Sequence, residues 1–160
     1  MPVDRKRALF IALGVPVGYA VLGGAVTGDA VTVWYPTLRK SKLVIPLWAF
    51  IPVAILYYLM CGRILYRLLT VEAPAAQRRS ALVLLNAMMG ANEGWNYVFL
   101  GQRSVRAGLI GMIGYTLLTV ALHRSLKRVD QPSARLLLPY VGWLGYDLVY
   151  AYELWRLNNA

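Results

Sequence analysis

The sequence predicts an all-α, integral-membrane bundle of five helices, one domain covering residues 1–160. Three observations lead to it. Hydrophobic residues fill 59% of the 160 positions and charged residues 15%, with a mean hydropathy of +0.52; soluble domains average about 45–50% and about 25%. The apolar residues fall into five runs, 8–28, 47–69, 81–100, 107–126 and 136–157. Each is long enough to cross a hydrocarbon core of roughly 30 Å, which takes about 20 helical residues. Polar and turn residues gather at 29–46, 70–80, 101–106 and 123–135, the last overlapping the end of the fourth run, and only the first of these breaks is long.

The first run follows Arg5, Lys6 and Arg7. It exceeds the 7–15 apolar residues of a signal-peptide core, so it reads as a span that stays in the chain. Pro16 inside it, like Pro52 in the second run and Pro139 in the fifth, predicts a bend, because neighbouring helices in a membrane can re-satisfy the carbonyl that proline frees. Glycines four apart, Gly14 and Gly18, Gly24 and Gly28, and Gly90 and Gly94, suit close helix approach, either within one chain or between two. Arg63 and Arg67 lie near the end of the second run and are expected to reach up to lipid head groups.

The third run carries Asn86, Asn92, Glu93 and Asn96 within an arc of about 120°, with Trp95 flanking the Asn92 edge. Such a face is expected to turn away from lipid, either as interhelical hydrogen bonds or, at Asn92 and Trp95, as a pocket wall. The fifth run holds Asp147 near its middle, on one face with Tyr140, Trp143, Tyr150 and Ala151. A charge at the centre of a span costs roughly 2.5–3.5 kcal/mol, so Asp147 and Glu93 are both expected to face the bundle interior or a wet cavity. Glu153, three residues before Arg156, reads as an interfacial ion pair.

Composition also excludes functions. With one cysteine, Cys61, and one histidine, His123, neither an intramolecular disulfide nor a metal cluster is expected, and no set suited to nucleophilic hydrolysis is visible. The net charge of +10 is spread between apolar runs. Anionic lipid head groups are therefore the expected counter-charge, and nucleic acid is not. Eleven basic residues lie on the N-terminal side of the expected bundle and six on the other, which places the N-terminus in the cytoplasm. Val149, Tyr152 and Arg156 also fit a permissive cholesterol-contact pattern.

The stretch VWYPTLRKSKLVIPLWAFIPVAILYYLMCG carries a more specific signal. Trp34, Tyr35, Leu38, the basic pair Arg39 and Lys40, Pro46, Trp48, Phe50, Pro52, Val53, Tyr58 and Gly62 follow, without a gap, a pattern that resembles the TspO/MBR family, the translocator proteins once called peripheral-type benzodiazepine receptors. Asn92, Trp95, Phe99 and Gly101 match its third span. Leu138, Pro139, Tyr140, Trp143, Trp155, Arg156, Leu157 and Asn158 match its last. The departures are Ser41, Leu43, Ala54, Met88, Tyr97, Asp147 and Ala151, where the family usually has Pro, Trp, Trp, Gln, Pro, a small apolar residue and Asn. The chain is similar to a divergent member.

The resemblance implies a five-helix membrane protein, often a homodimer, with a pocket inside the bundle closed by the first connection. It implies ligands such as protoporphyrin, haem and sterols, with no required cofactor beyond porphyrin or haem as ligand, and membrane lipids as partners. The corresponding pocket residues are Trp34, Tyr35, Trp48, Asn92, Trp95 and Trp143; Tyr140 and Asp147 join them by sharing the face of Trp143. Arg39, Lys40 and Lys42 stand at the mouth, where a guanidinium can grip a propionate with two parallel hydrogen bonds. Aromatic rings suit a flat tetrapyrrole, while core packing and an interfacial belt are the other uses such rings have. Two further functions stay open on the sequence: light- and oxygen-dependent porphyrin degradation, implied by some bacterial members, and a regulatory role through protein contacts. A prokaryotic cell membrane is the expected location.

Overall fold

The computed structural model describes residues 3–158. Among them every regular element is helical: α1 (Arg5–Thr27), α2 (Ala30–Val33), a 3-10 turn (Tyr35–Thr37), α3 (Leu47–Thr70), α4 (Ala75–Asn96), a π turn (Tyr97–Gly101), α5 (Val105–Val129) and α6 (Gln131–Asn158). The five long helices neighbour one another in a ring, α1 to α3 to α6 to α5 to α4 and back to α1. Of these, α1, α3 and α5 are long and apolar enough to cross a membrane.

The helix ends explain the boundaries. Asp4 accepts hydrogen bonds from the Lys6 and Arg7 amides at 3.1 and 3.3 Å, which caps α1, and Gly28, with a φ of +56°, ends it in a conformation that residues with a Cβ adopt poorly. Pro46 and Pro74 stand immediately before α3 and α4, where their missing N–H costs nothing. Ser104 caps α5 through the Ala107 amide. Pro16, Pro52 and Pro139 all lie inside continuous helices.

Two expected breaks are shorter than the sequence suggests. Residues 75–80 already belong to α4, and α5 runs on to Val129, so that Asp130 alone separates α5 from α6. Polar residues there do not end the helices because Asp130 supplies the cap: its carboxylate accepts from the Ser133 amide at 3.1 Å and from the Ser133 hydroxyl. The same carboxylate receives the Arg67 Nε and Nη2 at 2.7 and 2.8 Å. Arg67 thus ties the end of α3 to the α5–α6 corner and does not reach outward to head groups. Arg63 is exposed, with its guanidinium 6.0 Å from the Tyr66 ring centre.

The exterior is apolar. Phe10 is 78% exposed, and Leu13, Val17, Val21, Ile55, Leu59, Ile113 and Leu117 also face outward, a surface that water would penalise and lipid would not. The main core joins Ile64, Leu68, Leu85, Met88, Leu122, Leu126, Leu137 and Leu144. A second cluster, around Tyr35, Phe99, Leu100, Tyr150 and Leu154, lies beneath the first connection.

Candidate functional site

That second cluster walls a cavity of about 640 Å³, within the roughly 300–1,000 Å³ of small-molecule sites. α3 contributes Trp48, Phe50, Ile51 and Ala54; α4 and the π turn contribute Trp95, Asn96 and Phe99; α5 contributes Gly108, Leu109 and Met112. From α6 come Asp147, Tyr150, Ala151 and Leu154, and Tyr35 closes the space from the connection. Trp95 and Phe99 stack with ring centres 5.0 Å apart, and the Trp95 indole donates to the Gly108 carbonyl at 2.9 Å. Gly108 has to be glycine for this packing, since a Cβ there would stand 2.5 Å from the Phe99 ring.

The connection is strapped to α6 at three points. The Tyr35 and Tyr150 hydroxyls form a buried hydrogen bond. The Tyr146 hydroxyl donates to the Leu43 carbonyl at 2.9 Å. At the far end, the Asn158 amide pairs with the backbone of Arg39, accepting from its N–H and donating to its carbonyl, each at 2.9 Å.

Of the residues that the sequence offers as a site, Tyr35, Trp48, Trp95 and Asp147 come together in the cavity wall. The others stand elsewhere. Trp34 packs its ring edge-on against Phe99, 5.5 Å away, and Trp143 lies against Phe50 and Tyr146 beside the cavity. Tyr140 belongs to the core, with its hydroxyl 2.8 Å from that of Tyr115 and its ring 5.1 Å from Tyr57. Asn92 donates to the Glu93 carboxylate at 2.9 Å and so does not pair with Asp147.

At the mouth, Arg39 and Lys42 are exposed, whereas the Lys40 ammonium donates to the carbonyls of Tyr35, Pro36 and Leu38 at 2.7, 3.2 and 3.2 Å. Lys40 is therefore committed to the 3-10 turn. Phe50, Asn96, Phe99 and Tyr150 also line the cavity, although the sequence does not offer them as site residues; Phe50 and Phe99 sit in the motifs, Asn96 lies on the polar face of the third run, and Tyr150 shares the Asp147 face.

Glu93 is 3% exposed and sits outside this cavity. Its carboxylate accepts from the Tyr58 hydroxyl at 2.7 Å and from the amides of Asn92 and Asn96 at 2.9 Å each. Three donors replace the water it has lost. Asn86, expected on the same protected face, is exposed and bonds back to the Leu82 carbonyl in its own helix. Glu153 and Arg156 pair at 2.9 Å, as their spacing suggests. A second concavity of about 770 Å³ runs between α1 and α3, with Arg5, Lys6 and Arg63 among its lining.

The family model for TspO/MBR matches residues 11–156. The chain belongs to the TspO/MBR family. It is 26% identical over 142 residues to the tryptophan-rich protein TspO of Archaeoglobus fulgidus, covering 89% of this chain and 90% of that one. It is 27% identical to the human translocator protein, covering 79% of this chain and 76% of the relative, and 29% identical to the protein CrtK of Rhodobacter capsulatus, covering 78% of each. Family membership, spanning-length helices and an apolar exterior together make this TspO/MBR chain an integral membrane protein.

Proposed function

We propose that this chain is a membrane receptor of translocator type that holds a hydrophobic small molecule in the cavity between α3, α4, α5 and α6. Flat tetrapyrroles such as protoporphyrin and haem are the leading ligand class, with sterols next. The observation that carries this reading is the aromatic wall itself: Tyr35, Trp48, Phe50, Trp95, Phe99 and Tyr150 surround about 640 Å³ beneath the first connection. Large rings on several sides offer stacking area to a planar molecule, and the few polar groups fix its orientation. In this reading all five long helices cross the bilayer of a prokaryotic cell, and the chain works as a homodimer. Gly14, Gly18 and Gly24 support a close approach between copies, because a Cβ at any of them would meet open space.

Titrating the detergent-purified protein with protoporphyrin, following tryptophan quenching and the porphyrin band, tests the reading. Saturable binding weakened by Trp48→Ala is the expected result, and Trp48 suits the test because it is 70% exposed, so its loss spares the core. Binding that does not saturate in a folded sample contradicts it. Trp48 and Trp95 on one cavity favour a second reading, degradation of a bound porphyrin by light and oxygen. Loss of the porphyrin band on illumination, dependent on both tryptophans, separates that reading from simple binding.

A further inference from the structure

The carboxylates of this chain are not equally provided for. Glu93 receives three neutral donors, Asp130 receives Arg67 and Ser133, and Glu153 receives Arg156. Asp29 pairs with Arg103 at 3.0 Å, and Asp4 caps α1. Asp147 is half-buried in an apolar wall, one helical turn beyond Trp143 on α6. Asp147 is also the one charged residue lining the cavity, among the described residues, and no Lys, Arg or His joins it there.

We propose that Asp147 makes the cavity selective for ligands that carry a cationic nitrogen beside a flat apolar body, the carboxylate acting as counter-ion and the surrounding rings as a cage. This rests on the cavity being a ligand site. A half-buried carboxylate in an apolar wall either takes up a proton or keeps its charge against a positive partner, and no cation of the protein lines the cavity, so a cationic ligand would complete the pair. Aromatic faces reinforce the choice: Tyr35, Trp48, Phe50, Trp95, Phe99 and Tyr150 present ring electrons that attract a cation and not an anion. Tyr35 and Tyr150 line the same cavity as Asp147, so the cation would find acid and rings in one space. Carboxylates of a ligand are directed away from Asp147, since the exposed cations Arg39 and Lys42 stand on the connection and Lys40 is held by three carbonyls. A ligand bearing two carboxylates can reach those exposed cations only with its edge at the mouth.

The test compares (2-naphthylmethyl)trimethylammonium with its uncharged carbon isostere, 2-neopentylnaphthalene, on the full chain in a non-ionic detergent, with empty micelles as control. Wild type is expected to bind the cation at least about tenfold more tightly than the isostere. Asp147→Asn should reduce that ratio several-fold, to what the rings alone supply, and Asp147→Glu should retain more of the preference than Asp147→Asn does. Equal affinities in wild type, or a preference undiminished in Asp147→Asn, overturn the proposal. If neither compound binds wild type, the cavity reading falls together with the selectivity built on it.

Discussion

Gly23 on α1 and Glu93 on α4 approach so closely that a Cβ on Gly23 would lie 2.2 Å from the Glu93 Oε2. Glu93 cannot swing aside, because Tyr58, Asn92 and Asn96 hold both carboxylate oxygens. A buried acid of α4 thus fixes the residue type on a neighbouring helix, and Asn96, one of the donors that hold it, also lines the cavity.

Gly23→Ala is expected to lower thermal stability by about 1–3 kcal/mol, the usual cost of forcing atoms into a filled site. Glu93→Ala should also destabilise, by leaving three donors without their acceptor. The double variant should lose less than the sum, since both changes act on one contact. Melting curves of the four proteins in detergent check this, and strict additivity would show that the two residues do not interact.

Arg67 and Asp130 should make stability depend on acid. The Arg67 guanidinium, opposed by burial and helped by Ser133, holds the Asp130 carboxyl below the usual carboxylate range. A folded-state value below the unfolded one, about 3.9, means that the stabilisation is present above about pH 4 and is lost as pH falls through the folded value. Asp130→Asn is therefore expected to cost on the order of 2 kcal/mol at neutral pH. The difference from wild type should close in strong acid, which melting temperatures across pH 2.5 to 7 will show.

Tyr35→Phe and Tyr150→Phe each remove the hydroxyl pair that fastens the connection to α6. Either is expected to cost about 1 kcal/mol locally. Trypsin should then cut faster after Arg39, Lys40 and Lys42, and the double variant should be cut no faster than either single one. Unchanged cutting rates would mean that the Tyr146 and Asn158 straps suffice.

Ala54 lines the cavity where the family pattern has tryptophan. Ala54→Trp is expected to fill part of the space from an exposed helix position and to fold normally. Affinity should fall most for the largest ligands, and binding isotherms for protoporphyrin against a naphthalene-sized ligand measure that ordering.

Helix positions and motifs were legible because both are local properties of the chain. Trp48, Trp95, Tyr35 and Asp147 were found in this way and do converge on one cavity. Rotation and tilt of one helix against another were not legible. Tyr140 shares a face with Asp147, but seven residues separate them, about 10 Å along a helix, and at that depth the face meets Tyr57 and Tyr115 in place of open space. Arg67 misled for a related reason: its partner lies 63 residues away, and nothing in either local stretch announces the pairing. Asn92 could not be aimed from spacing alone, because the neighbouring Glu93 competes for its amide.

The most direct test is photolabelling in membranes with a diazirine-bearing hydrophobic probe that protoporphyrin displaces, followed by peptide mapping. Protectable labels at 48–54, 95–112 and 147–154, which line one cavity, are the expected result. Protectable labels confined to 5–20 and 55–66, in the groove between α1 and α3, would contradict it.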